Sequence, residues 1–399
     1  MREPRTALTP LMRSVRDRHV ESILRVLLQG DCGRKELGRR TGISFTTITR
    51  LTTLLLDAGI IAERPRTTAT RAGRGRPEVP LGIPDDGKVV IGCHIARDVV
   101  HAGAFSLRGE PLFALTAPTP EGSADDTLAA ARDLVSAVQS EYDPERVLAV
   151  GVSTGGVIDH ESGRLIRSPL FPWSDVDMRT PLAQTTGMPI IVDSTVRSFA
   201  LERLWWADEA PDSLLVVFVG GVIASAMIVD RHLHRGPGAM AGDVSHLPVP
   251  GGPGFRCPCG ALDCAGVAVT ADAILRQAKA RGILPADADL TALTPEDPDA
   301  PAGIRELFRV RAERLGDLVA RLIAVIGPDV TVIAGNIGTD DDARLCLATA
   351  RQRSIATTGA DPDIELSRLT PAEWLRGAAA MALDAFLRSP TSFSRDLLE

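Results

Sequence analysis

The chain of 399 residues has room for two or three domains, and its 44% hydrophobic and 24% charged residues are ordinary for a globular protein. No run of about eighteen apolar residues occurs, which excludes a spanning helix, and Met1-Arg2-Glu3-Pro4-Arg5 leads into polar sequence without the apolar core of a signal peptide. The net charge of −7 is unevenly divided: residues 1–81 carry 16 Arg and Lys against 8 Asp and Glu, and the remainder 28 against 43. A basic head on an acidic body predicts a nucleic-acid-binding module joined to something else. The expected location is the cytoplasm, with no membrane partner.

Within the head, 15–29 reads as an amphipathic helix with Val20, Ile23, Leu24 and Leu27 on one face. A short helix over 34–41 buries Leu37. Thr41-Gly42-Ile43-Ser44 is a compact turn, and Ser44 suits the N-cap of a third helix from about Phe45 to Ala58. Ile48, Leu51 and Leu55 face inward there, leaving Thr46, Thr49, Arg50 and Thr53 outward beside Ser44 and Thr47. Short polar side chains make a poor helix surface but suit a helix lying close to base edges. The order matches a helix-turn-helix with its recognition helix third. Strand-like 59–64 and the arginines Arg64, Arg66, Arg71, Arg74 and Arg76 predict a wing that neutralises phosphates. A solvated basic linker is the alternative for these arginines.

From Lys88 the pattern becomes α/β. Strands are predicted at 89–95, 99–106, 147–152, 189–192, 214–219, 223–229 and 330–334, and helices at 128–140, 196–207 and 304–326. Strand, hairpin, helix and strand occur twice, which predicts two related lobes with a cleft between them. The expected boundaries are 1–81 for the DNA-binding head, 88–208 for the first lobe and 212–390 for the second, whose last helix packs back on the first.

Three cysteines fall within Cys257-Pro258-Cys259-Gly260-Ala261-Leu262-Asp263-Cys264, and His246 lies eleven positions upstream. His246, Cys257, Cys259 and Cys264 supply the four donors of a closed tetrahedral zinc site, a structural metal with no open position. A disulfide plus a spare thiol is the alternative, which a reducing compartment disfavours.

These segments, in this order, resemble the ROK family (repressor, open reading frame, kinase) over nearly the full chain, including the winged helix-turn-helix of its regulators. Gly75-Arg76-Pro77 resembles the junction of wing and body, and Gly155-Gly156-Val157-Ile158-Asp159 a Pro-Gly turn with Gly155 in place of proline. Gly242-Asp243-Val244-Ser245-His246 resembles a Gly-Glu-x-Gly-His segment, and Cys257 to Cys264 the zinc loop. The resemblance implies an actin-like, sugar-kinase-like body of two lobes, a homo-oligomer (dimer or tetramer), and control of carbohydrate-related genes by a sugar or sugar-derivative effector. It places the effector contacts at Gly156, Ser194, Thr195, Asp243 and His246.

The kinase machinery is altered. The family's Asn-Asp pair, which holds the catalytic base, is Ser194-Thr195 here, and a hydroxyl cannot take up a proton at neutral pH as a carboxylate does. Asp193 lies off that position. The first phosphate turn reads His94-Ile95-Ala96-Arg97-Asp98, and the second keeps Gly220-Gly221 but adds Val222 and Ile223. The expectation is a non-enzymatic DNA-binding transcriptional regulator, a repressor, whose body assembles and senses a small molecule. Trp173, Trp205 and Trp206 are candidates to line a ligand site or to fill the core. The rivals are a sugar kinase with an appended DNA-binding head and a ligand-independent scaffold.

Overall fold

The computed structural model describes residues 14–65, 79–207, 209–297 and 299–393. The chain divides into two compact units, Met1–Trp206 with Ala372–Glu399, and Ala207–Pro371.

The first unit begins with helices α1 (Val15–Gln29), α2 (Arg34–Thr41) and α3 (Phe45–Asp57). Ser14 caps α1 by accepting from the Asp17 amide, and Val20, Ile23, Leu24 and Leu27 are fully buried. Gly42 ends α2 in the left-handed region at φ 71°, where a β-carbon would add strain, and so delivers the chain to Ser44. Strand β1 (Ala62–Glu63) pairs antiparallel with β2 (Leu81–Gly82). Three helices and a two-stranded ribbon are the frame of a winged helix-turn-helix. The expected wing residues Arg66, Arg71, Arg74 and Arg76 lie outside the described residues.

The rest of this unit is an α/β layer. In chain order it comprises β3 (Val89–Ile95), β4 (Val99–Ser106), β5 (Pro111–Pro118), α4 (Ala124–Ser140), β6 (Val147–Thr154), β7 (Val157–Asp159), β8 (Arg164–Arg167), β9 (Ser174–Asp177), α5 (Arg179–Thr186), β10 (Ile190–Ser194) and α6 (Thr195–Trp206). The main sheet runs β10-β6-β3-β4-β5, parallel at β10/β6/β3 and antiparallel at β3/β4/β5, while β7-β8-β9 form a separate antiparallel sheet.

The second unit holds β11 (Leu214–Val219), β12 (Ile223–Val229), β13 (His232–His234), α7 (Ala265–Ala268), α8 (Ala271–Ala280), α9 (Ala302–Ile326), β14 (Val330–Gly335), α10 (Asp340–Thr358) and β15 (Asp363–Ser367). Its sheet runs β13-β12-β11-β14-β15, with β11/β14/β15 parallel and β11/β12/β13 antiparallel. Counted from each first strand, both sheets have the order 3-2-1-4-5. The repeat predicted from sequence is thus a duplicated topology.

The last helices, α11 (Pro371–Arg388) and α12 (Pro390–Phe393), belong to the first unit. Helix α11 lies against the sheet centre on Ala378, Ala379 and Ala382, all fully buried. A β-carbon at Gly92 or Gly151 would overlap the Leu375 or Ala378 carbonyl. Glycine on the strands and alanine on the helix allow this close approach.

Candidate functional site

Helix α3 presents the polar face expected of it. Thr46, Thr49, Arg50 and Thr53 are exposed and Thr47 is half-buried. Ser44 acts mainly as a cap: its hydroxyl accepts from the Thr47 amide at 3.3 Å and lies 2.9 Å from the Thr47 hydroxyl. The Thr49 and Thr53 hydroxyls donate to the Phe45 and Thr49 carbonyls at 2.9 and 3.0 Å, bonding back to the preceding turn. Phe45, 55% exposed at the first turn of α3, has no counterpart among the expected contacts. An exposed aromatic directly after the N-cap was the signal available for it, and such a ring suits a thymine methyl.

Arg64 also has partners within the chain. Its guanidinium donates to the Ile83 carbonyl at 2.7 Å and lies 3.6 Å from both Asp31 and Asp85. It ties the ribbon to neighbouring loops.

In the second unit His246, Cys257, Cys259 and Cys264 each offer one ligand atom, and these atoms all lie within 4.8 Å of one another. The Cys257 Sγ–His246 Nδ1 distance is 3.3 Å and the Cys259 Sγ–Cys264 Sγ distance 3.6 Å. Thiolates 2.3 Å from one tetrahedral ion stand about 3.8 Å apart, so the donors fit zinc. The loop is shaped by its own backbone: Cys257 N–H donates to the Ala261 carbonyl at 2.8 Å and Gly260 N–H to the Cys257 carbonyl at 2.9 Å. Asp263 holds φ 54° while its carboxylate accepts from the Gly254 and Phe255 amides. The Ala261 backbone hydrogen bond, with help from the neighbouring cysteines, holds the Cys259 thiol down at about 7, while burial and the same neighbours push the Cys264 thiol up to about 12.

The expected effector positions fall in both units. In the first, Ser194 is buried, Thr195 is half-buried and opens α6, and Gly156 sits in a turn where a β-carbon would meet the Arg167 carbonyl at 2.6 Å. In the second, Asp243 accepts from the Ser245 amide at 3.1 Å and hydroxyl at 2.5 Å, and His246 belongs to the metal cluster.

Asp193, one residue before the Ser194-Thr195 pair, is 0% exposed. Arg197 donates to it at 3.0 Å, its own neighbour Ser194 N–H at 2.8 Å, and His160 Nδ1 lies at 3.6 Å. At the first phosphate turn His94 is buried, 2.9 Å from the Ser153 hydroxyl and stacked on Trp374. Burial, then the neighbouring His101, pushes its imidazole down to about 3, so it is neutral at pH 7. The Ala96 amide of this turn already donates to the Val99 carbonyl. Trp206 donates to the Leu107 carbonyl and stacks on Phe105, and Trp173 stacks on Phe171 at 3.9 Å.

A winged helix-turn-helix ahead of duplicated five-stranded α/β layers, with a Cys₃His cluster in the second, defines a class of protein. The chain belongs to the ROK family, whose pattern matches residues 90–385. It is 30% identical over 332 residues to a transcriptional regulator of Mycobacterium tuberculosis, covering 79% of this chain and 73% of that one. It is 24% identical to the xylose repressor of Caldicellulosiruptor bescii over 90% of this chain and 93% of the repressor. A glucokinase of Thermotoga maritima matches at 27% over 62% of this chain and 82% of the kinase. Among solved structures, a ROK-family transcriptional regulator described as a homologue of the E. coli MLC protein superposes with a TM-score of 0.75 at 20% identity. It covers 94% of this chain and 97% of that one.

Proposed function

We propose that the chain is a DNA-binding transcriptional regulator, acting as a repressor, whose body does not phosphorylate sugar. The observation that carries this reading is the pairing of an outward Thr46-Thr49-Arg50 face on α3 with Asp193 withdrawn into a buried ion pair with Arg197. A general base must reach the acceptor hydroxyl, and a carboxylate that is 0% exposed and held by an arginine does not.

In this reading residues 1–81 bind operator DNA, and 88–208 and 212–390 form the two lobes, with the last helix returning to the first. The protein works in the cytoplasm as a homo-oligomer whose two-fold axis matches a palindromic operator. None of the helices described is long and apolar enough to cross a membrane. His246, Cys257, Cys259 and Cys264 hold a zinc ion that shapes their loop and has no open position for catalysis. The names of the matching repressors favour a sugar-like effector, with Gly156, Ser194, Thr195, Asp243 and His246 as candidate contacts.

Genome-wide mapping of bound DNA, followed by titration of the recovered sites, tests the proposal. Selective binding that the Arg50→Ala change removes is the expected result. Turnover in a coupled ATP assay with hexoses, abolished by Asp193→Asn, would instead establish the kinase reading that the glucokinase match allows.

A further inference from the structure

Polar contacts join the head to the rest of its unit: Asp17 accepts from the Thr391 hydroxyl at 2.8 Å, Asp31 from Arg108 at 2.8 Å, and a buried ionic group centres on Glu21. Glu21 on α1 is 6% exposed and accepts from Arg388, the last residue of α11, at 2.8 Å and from Arg25 at 2.8 Å. Arg388 also donates to Asp384 at 3.1 Å, and the Asp384 carboxylate accepts the Trp205 indole N–H at 3.0 Å. The guanidinium carbons of Arg25 and Arg388 lie over the Trp205 ring at 5.4 and 5.6 Å. Charges in such a place gain little net stability over apolar packing, but they hold only in one geometry. An arrangement of this kind specifies register more than it adds strength.

The chain path gives the arrangement a further meaning. Trp205 is the penultimate residue of α6, and the chain crosses into the second unit directly after Trp206. It returns at Ala372, in the first turn of α11. The two helices that lead to and from the second unit therefore both carry side chains that engage α1, while Thr391 of α12 adds hydrogen bonds to Asp17. The 12 residues of α6 span about 18 Å, from Thr195 at one end to Trp205 at the other.

We propose that Trp205 and Arg388 are positioning residues for DNA binding. They lock α1 in one register on α6 and α11, so that a change at the unit crossings, or at Thr195, reaches the recognition helix through them. The DNA part of this inference rests on the regulator reading above, whereas the lock itself does not.

The test is hydrogen exchange of the full-length protein, run beside titration of its mapped operator and of a random duplex of equal length. Arg388→Met and Glu21→Gln should each speed amide exchange in α1–α3 at least tenfold while leaving β3 and β6 unchanged. The double variant should go no further than either single change. Operator affinity should fall about tenfold, and Trp205→Phe, which keeps the ring and loses the N–H, should fall between parent and Arg388→Met. If Arg388→Met also loosens β3 and β6, Glu21→Gln decides, since it leaves α11 intact. Unchanged exchange in the head, or effects that simply add, would overturn the lock. A head that loosens as expected, in a protein that never distinguishes operator from random duplex, would leave the lock standing and remove the regulator reading.

Discussion

Two polar clusters lie at comparable places in the chain's chemistry and have opposite character. In the second unit His246 and three cysteines point their donor atoms at one point, and the atoms are spaced as ligands of a single ion. In the first, Asp193 forms a buried ion pair with Arg197, with His160 Nδ1 3.6 Å away, one residue before the Ser194-Thr195 pair. One cluster has the donor spacing of a site that could hold an ion, and the other has its carboxylate engaged by a neighbouring arginine. A cluster of reactive residue types is therefore evidence of ligand binding only when its lone pairs converge on a common point.

The largest effect is expected at the Cys₃His cluster. Structural zinc contributes on the order of 10 kcal/mol to the folding of small zinc sites. Chelation or Cys264→Ala should therefore lower the thermal midpoint strongly and release one equivalent of zinc, measured by metal analysis beside calorimetry. An unchanged midpoint would mean that the loop holds its shape without metal.

The Asp193→Asn change addresses the self-contained cluster. It leaves the Arg197 guanidinium, 6% exposed, without its anionic partner, and should cost about 3–5 kcal/mol in urea denaturation. A loss below 1 kcal/mol would mean that the pair is solvated and the carboxylate accessible after all.

At the head the effects are smaller. Arg50→Ala should reduce discrimination between operator and altered sites by about 1–3 kcal/mol, and a uniform loss on all DNA would reassign Arg50 to the phosphates.

The smallest effect belongs to His94. Its folded value, about 3, lies below the usual 6.5, so the unfolded chain takes up a proton that the folded one refuses. Stability should then fall as pH drops below about 6.5, by at most about 1.4 kcal/mol per pH unit. Denaturation at pH 7.5 and 5.5 checks this. His94→Gln should flatten the dependence by one proton's worth.

Much of the architecture was legible because large apolar side chains marked it. The head helices, the strand pair at Leu214–Val219 and Ile223–Val229, and the metal cluster all follow the residues that predicted them. Helix α4 starts a turn earlier than its apolar stripe, because Ser123 and Asp126 form a capping box. Helix α10 went unread for a different reason. Its buried face is Ala343, Cys346, Ala350 and Ser354, small residues that let it approach α9 at Gly316, where a β-carbon would meet the Cys346 carbonyl at 2.5 Å. A stripe of small groups has helical period but little hydrophobic contrast. The Asp193–Arg197 pair was illegible because nothing in the local sequence says that strand β10 is covered on both faces. The contacts of Arg64 were hidden because its acceptor, the Ile83 carbonyl, and its ionic neighbours Asp31 and Asp85 come from other loops.

The close seat of α11 on Gly92 and Gly151 also bears on the order of synthesis. Strands β3 and β6 leave the ribosome more than 200 residues before the helix that covers them. Until that helix arrives, the nascent first layer keeps one apolar side uncovered and α1 lacks Arg388. A chain truncated near residue 370 would therefore carry all of α1–α3 and lack the Arg388 partner of Glu21.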